Sequence, residues 1–274
     1  MVYLSSHQHP SSIKPMQFYQ FPDLYFALRL PSSTFYQGVR HVIRRYLPGE
    51  PTSVMDPACG PATWLISFAK DGIRVAGNDL FPEMVEWARR TLADYPSEIV
   101  EGDWCDLKFQ TGPFDVAFEV SGICGQIQTD ESMSAHWQSV LSQLRPGGLY
   151  LQHLFFEDDS LPQQLPYVCH QSPWVDVPGG GQGMITYEII NRFPQRRSER
   201  IRRTVRTQNV PNCPDQFTEE YELRGYTPSI IRRLLAELPH IELLAVHDID
   251  DTGERELSLD EVQSEAILVL RKKA

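Results

Sequence analysis

Two acids separated by a run of small residues are the part of this 274-residue chain best suited to chemistry. Val54 to Ala62 reads VMDPACGPA, and Asp79 follows Asp56 by 23 residues in the stretch VAGNDLFPEMVEWAR. An apolar strand that ends in an acid, passes through a small-residue turn and opens a helix brings backbone N–H groups close to a ligand. A second acid roughly 20 residues on stands where ribose hydroxyls are held. The pattern points to a nucleoside-cofactor site, although any α/β protein needs small residues in a tight strand-to-helix turn.

The elements needed to position these acids alternate in the βαβ manner. The pattern predicts a strand near 52–56, a helix over 62–70 stopped by Asp71-Gly72, a strand over 73–78 and a helix from Pro82 to about Ala93. Strands near 98–102, 114–120 and 148–155 follow. Open α/β sheets hold ligands at the C-terminal strand edge. His153, closing the fifth strand, is therefore the preferred general base, and Glu119, closing the fourth, is the second catalytic candidate. A packed strand histidine and a solvated strand end are the plain alternatives for the two.

Three further segments complete an ordered set: IVEGDWCDL (99–107), FDVAFEVSG (114–122) and LSQLRPGGLYLQHLFF (141–156). Together with VMDPACGPA they resemble the class I S-adenosylmethionine-dependent methyltransferases, from Ser53 to about Phe156 and more loosely through the last hundred residues. The resemblance implies an α/β fold with a Rossmann-like mixed seven-stranded sheet, and S-adenosylmethionine as cofactor with S-adenosylhomocysteine as product. It implies that Asp56, Ala58, Cys59 and Gly60 wrap the methionine part of the cofactor and that Asp79 takes the ribose hydroxyls. Leu80 and Met84 would flank the adenine, Asp103 and Trp104 would bind it, and Glu119 with Val120 would border the transfer site. Tyr19 and Tyr25, on N-terminal helices that form a lid in many relatives, would point inward. The family pattern has glycines where this chain has Ala58 and Ala62. Alanine does not take φ > 0 cheaply, so those positions are expected in ordinary backbone regions, with Gly60 alone free to leave them.

Residues 1–15 read as a polar mobile tail, 16–49 as the helical lid, 50–156 as the cofactor-binding core and 157–226 as a β-rich insertion of about three strands. Residues 227–274 complete the core sheet, with Thr227 capping a helix before two closing antiparallel strands. An antiparallel insertion at this place is similar in layout to the glycine-type and amino-sugar N-methyltransferases. By that resemblance Tyr226, a third catalytic candidate, and Arg224 belong to a loop over the substrate. Trp174 and Tyr187 are candidates for an aromatic pocket wall. Gly179 to Gly183 lack a following Lys-Ser/Thr and read as a turn rather than a phosphate loop.

A net charge of −11 disfavours a nucleic-acid partner. Arg192 to Arg206 nevertheless holds seven arginines and one glutamate, a stripe expected to face acids elsewhere in the fold. No apolar run reaches the roughly 18 residues of a membrane span, and the start lacks a secretory pattern, so a cytoplasmic protein is expected. Five scattered cysteines without a C-x-x-C pair point to reduced thiols. The dispersed histidines predict no metal site. The expected partner is a small-molecule metabolite of secondary metabolism, methylated at an amine or hydroxyl by a monomer or homodimer. Two alternatives stand: a methyltransferase-like binding or scaffold protein without turnover, and an NAD-dependent oxidoreductase, which is weakened by the missing G-x-G-x-x-G.

Overall fold

Period-2 burial splits the central strands between two apolar layers. Val54, Val116, Phe118, Leu149 and Leu151 face one cluster, and Met55, Ala117 and Tyr150 face the other. The structure, a computed structural model, describes residues 17–158, 162–249 and 252–273. The tail expected at 1–15 lies outside the described residues. The core strands are β1 (Ser53–Asp56), β2 (Arg74–Asp79), β3 (Ser97–Glu101), β4 (Phe114–Glu119) and β5 (Leu144–Phe155). They pair in parallel in the spatial order β5-β4-β1-β2-β3.

Helices cover both faces. Helices α1 (Pro22–Arg29) and α2 (Ser33–Tyr46) precede the sheet, and α3 (Leu65–Lys70) and α4 (Pro82–Thr91) connect its first strands. The first layer is filled from α2, α3 and α4. The second is filled from α5 (Asp130–Gln143), whose Trp137 is fully buried and donates its indole N–H to Gln152 Oε1 at 2.6 Å. The helix α3 starts at Leu65, three residues later than the pattern predicts, because residues 60–64 stay in turns. Ser32 and Thr129 cap α2 and α5 through side-chain oxygens that accept from Phe35 and Ser132 N–H groups.

The insertion is a second antiparallel sheet of five strands rather than three. β6 (Tyr167–Gln171), β7 (Val175–Asp176), β8 (Gln182–Phe193), β9 (Ser198–Gln208) and β10 (Gln216–Arg224) pair in the order β10-β9-β8-β6, with β7 on β8. The two extra strands are short and polar, so alternation does not reveal them. The chain then forms α6 (Pro228–Ala236), capped by Thr227, before β11 (Ile241–Asp248), β12 (Glu256–Leu257) and β13 (Glu265–Lys272). β13 enters antiparallel between β5 and β11. The two-residue β12 extends the main sheet from the expected seven strands to eight. None of the helices among the described residues is long and apolar enough to cross a membrane.

The arginine stripe meets acids across the β9–β10 register, where Arg200, Arg202 and Arg203 lie beside Glu222, Glu220 and Glu219. Arg203 is 4% exposed, and its Nε donates to Glu219 Oε2 at 3.0 Å. The other Glu219 oxygen accepts from Phe18 N–H at 3.1 Å, joining the insertion to the N-terminal segment. Removing one partner of a buried ion pair typically costs about 3 kcal/mol or more. Glu219→Ala should therefore lower unfolding stability by about 3 kcal/mol in urea titration; a change below about 1 kcal/mol would show that this pair does not hold the segment.

Candidate active site

The first functional region lies at the C-terminal ends of β1, β2 and β3. Asp56 closes β1, is 5% exposed, and accepts from Ala58 N–H at 2.9 Å. Asp79 closes β2 and receives two backbone amides, Gly60 N–H at 2.8 Å on one oxygen and Phe81 N–H at 3.0 Å on the other. Asn78 beside it donates to Pro57 and Gly102 carbonyls, so β2 holds the loops after both β1 and β3. Asn78 is not among the residues expected from the sequence, although a polar side chain in an otherwise apolar strand next to Asp79 is its signal.

The loop conformation corrects one expectation. Gly60 has φ 53°, and Ala62 also adopts the left-handed region at φ 66°, contrary to the ordinary backbone expected of it. Ala62 is fully buried, and its N–H bonds Cys59 O at 3.0 Å, so surrounding packing and the turn hydrogen bond hold a conformation that alanine alone disfavours by about 1 kcal/mol. Ala58 has no positive φ.

Burial pushes the Asp56 carboxyl well up, and it lifts Asp79 to about 6 against the pull of its amide donors. Asp103, after β3, accepts from Cys105 N–H at 2.8 Å, while Trp104 meets the buried His136 ring edge-on at 5.4 Å. Leu80 and Met84 flank the start of α4, with Met84 1% exposed. Tyr25 leans on the loop: a Cβ on Gly60 would meet its ring at 3.3 Å. Tyr19 packs between Tyr25 and Phe81, with ring centroids at 5.6 and 4.9 Å.

Beside this region, a cavity of about 660 Å³ opens between α1, the ends of β4 and β5, and the second sheet. Tyr19 and Tyr25 line it and so border both regions, and Tyr187 and Tyr221 line it from the insertion. Burial raises the phenols of Tyr19, Tyr25 and Tyr221, which stay neutral donors at physiological pH. Arg29, from α1, lines the cavity and donates to Ser121 O at 2.7 Å. Nothing in the sequence singled it out. Trp174 is 38% exposed and does not line the cavity, so of the two aromatic-wall candidates only Tyr187 does.

The three catalytic candidates separate. His153 is 5% exposed, lines the cavity, and lies 3.0 Å from Glu265 through its Nε2. Glu119 is 1% exposed and does not border the cavity. One of its oxygens accepts from Ser121 N–H at 2.8 Å and Ser121 Oγ at 2.6 Å, and the carboxylate also receives the Ile123 and Cys124 amides. Glu119 therefore closes its own loop rather than facing a substrate. Tyr226 is fully buried among core side chains and donates to Ile127 O at 3.4 Å, so it supports the fold and not the cavity. Arg224 lines the cavity, packs 4.8 Å over Tyr226 and pairs with Asp130.

Residues 54–148 match the family described as a methyltransferase domain. The chain is 24% identical over 180 residues to the dTDP-3-amino-3,4,6-trideoxy-alpha-D-glucopyranose N,N-dimethyltransferase of Streptomyces venezuelae; the match covers 66% of each chain, just short of two thirds. The crystal structure of Streptomyces venezuelae DesVI superposes with a TM-score of 0.70 at 16% identity, over 95% of this chain and 100% of that one. The sugar N-methyltransferase KedS8 of Streptoalloteichus superposes with a TM-score of 0.66 at 16% identity, over 100% and 99% of the two chains. The superpositions show the fold, and the match over residues 54–148 to a methyltransferase domain supports S-adenosylmethionine as the cofactor. The site suits that cofactor, because the carboxyl groups of Asp56, Asp79 and Asp103 present acceptor oxygens to its hydroxyl and amine donors. The domain match speaks against the oxidoreductase alternative.

Two measurements check the site's construction. A Cβ on Gly77 would lie 2.6 Å from Cys59 Sγ and 2.8 Å from Leu65 Cδ1, so Gly77→Ala should cost about 1–3 kcal/mol in urea unfolding; no cost would mean that the loop does not pack on β2 as described. Asp79 has a folded pKa of about 6, above its unfolded value, so its contribution is full below about pH 4 and is lost as pH rises through 6. Ligand-free wild type should lose up to about 3 kcal/mol relative to Asp79→Asn between about pH 4 and pH 7.5. A difference independent of pH would contradict the burial of this carboxylate.

Proposed function

We propose that this chain transfers a methyl group from S-adenosylmethionine to an amine of a small, sugar-like metabolite of secondary metabolism. The observation that carries the reading is the tyrosine-lined cavity that adjoins the Gly60 loop across Tyr19 and Tyr25. The volume suits one small acceptor. The relative from Streptomyces venezuelae is named for N,N-dimethylation of an amino sugar, which supports nitrogen over oxygen.

In this reading Asp79 holds the ribose hydroxyls, Asp103 and Trp104 hold the adenine between Leu80 and Met84, and Asp56, Ala58 and Gly60 border the methionine part. The bound cofactor supplies an electrophilic methyl group on a positively charged sulfur. The protein's part is to align the acceptor and exclude water. Residues 16–49 serve as lid and 157–226 as cover, while the buried neutral phenols of Tyr19, Tyr25 and Tyr221 orient the acceptor by hydrogen bonds. His153 is the residue suited to take a proton from the acceptor.

Purified protein incubated with S-adenosylmethionine and a panel of amino sugars, including the nucleotide-linked 3-amino sugar of the relative, should yield S-adenosylhomocysteine and N-methylated product by mass spectrometry. The hydroxyl analogues should not react. Product only from the hydroxyl analogues would overturn the choice of nitrogen. No turnover across the panel, with cofactor binding intact, would favour the silent-scaffold reading, which the departures at Ala58 and Ala62 motivate.

A further inference from the structure

Arg29, Arg192, Arg197, Arg203 and Arg224 all line the cavity, and four of them meet carboxylates. Arg192 Nε donates to Glu199 Oε1 at 2.8 Å, Arg203 Nε donates to Glu219 Oε2 at 3.0 Å, and Arg224 pairs with Asp130. Arg197 lies 3.7 Å from Asp130 and 3.9 Å from Glu157. Arg29, half-buried on α1, has no carboxylate partner among the described residues. Its hydrogen bond runs from Nη2 to Ser121 O at 2.7 Å and holds the guanidinium against the loop after β4, where Ser121 and Gly122 also line the cavity. Neither Nε nor Nη1 is among the buried atoms that lack a partner, so both keep accessible surface. The groups that act most strongly on the Arg29 charge are the phenols of Tyr187, Tyr25 and Tyr221 and the Arg203 guanidinium. Tyr25 stands one helical turn before it, and Tyr187 and Tyr221 come from β8 and β10 of the second sheet. Burial keeps Tyr25 and Tyr221 protonated, so they add O–H donors rather than negative charge. Glu157, Asp158, Glu199 and Glu265, the acids that line the cavity, are not among these groups.

We propose, resting on the amine-methylation reading above, that Arg29 and the phenols of Tyr25, Tyr187 and Tyr221 hold an oxyanion of the acceptor, so that the acceptor is an amine that also carries a carboxylate or a phosphate. A guanidinium held away from water without a counter-charge is unfavourable, and a ligand that brings the charge removes that cost. The N–H groups that Ser121 leaves unfilled meet the oxygens of such a group side by side, and phenol O–H groups reach its remaining lone pairs. The other four arginines do not compete for it, because their own carboxylates already answer them. The anion belongs with the acceptor because Asp56, Gly60 and Asp79, on the cofactor side, do not line this cavity, whereas Arg29 and the three phenols do. An amine without an acid group would leave Arg29 unpaired and bring a second positive charge toward it. The hydrogen bond to Ser121 O anchors the acid end of the acceptor at the end of β4, the sheet edge at which the transfer is placed in that reading.

The first test needs neither cofactor nor turnover. In protein labelled with 15N-arginine, the Nε–H signal lost in Arg29→Gln is followed by NMR while sodium acetate or inorganic phosphate is added, against sodium chloride at equal ionic strength. A saturable shift of that signal with acetate or phosphate, absent with chloride, is expected. No such shift would overturn the proposal whether or not the enzyme methylates amines. The second test separates the acceptor from the cofactor's own carboxylate. Arg29→Gln should leave the Kd of S-adenosylhomocysteine within about twofold. A loss of about tenfold or more for that ligand, with none for methylthioadenosine, which lacks the amino-acid part, would assign the oxyanion to the cofactor and overturn the acceptor assignment. The third test compares turnover of glucosamine, muramic acid, glucosamine phosphate and the nucleotide-linked 3-amino sugar. Among these, kcat/KM should be about tenfold or more higher for an acid-bearing member than for glucosamine, and Arg29→Gln should remove most of that advantage, chiefly through KM. Arg29→Lys, which keeps the charge without the fork, should retain part of it. The member that gains distinguishes carboxylate from phosphate. Glucosamine used as well as the acid-bearing amines would overturn the anionic class while leaving the methyltransferase reading intact. Turnover of none of them would count against that reading, with the anion titration still deciding the role of Arg29.

Discussion

The buried carboxylate of Asp79 is the constraint from which the site follows. It receives amides from both directions along the chain, Gly60 from the loop after β1 and Phe81 from the start of α4. A carboxylate in that position draws the loop down onto the end of β2, and Gly77, two residues earlier, makes the approach possible by having no side chain. Burial opposes the charge and the amide donors favour it, with the first effect the larger. A site that keeps an unfavourably buried acid is consistent with a binding role, since a well-packed apolar residue would serve stability better.

The loop in turn sets where the N-terminal segment rests. Tyr25 contacts Gly60, Arg29 donates to the loop after β4, and Phe18 bonds Glu219 in the second sheet. One segment of about a dozen residues thus touches the Gly60 loop, the neighbouring cavity and the insertion. In the proposed methyl transfer, which needs little from side chains beyond alignment and dryness, a segment tied at three points would serve both. The arginine stripe contributes mainly to cohesion, because Arg200, Arg202 and Arg203 meet glutamates on the neighbouring strand.

The parallel half of the main sheet was legible from the sequence because its strands are short apolar runs ended by acids or glycines, and its order follows from βαβ connections. Thr227 and Pro82 marked helix starts by local chemistry alone. What escaped depends on tertiary partners. Glu119 occupies the expected strand end, yet its carboxylate is taken up by amides of its own loop, a closure no spacing announces. Tyr226 sits beside the expected loop but turns into the core. Glu265 meets His153 from 112 positions away, through an antiparallel register that residue patterns do not specify. Ala62 adopts φ 66° because burial and a turn hydrogen bond override its local preference.

Calorimetric titration with S-adenosylmethionine and S-adenosylhomocysteine, on wild type and on Asp79→Ala, bears most directly on the account. Binding of both ligands by wild type in the micromolar range, about −8 kcal/mol, with loss of binding in a variant that remains folded, is the predicted result. Equal binding by the variant would contradict the role given to Asp79, and no binding by folded wild type would contradict the assignment of this cavity and loop to methyl transfer.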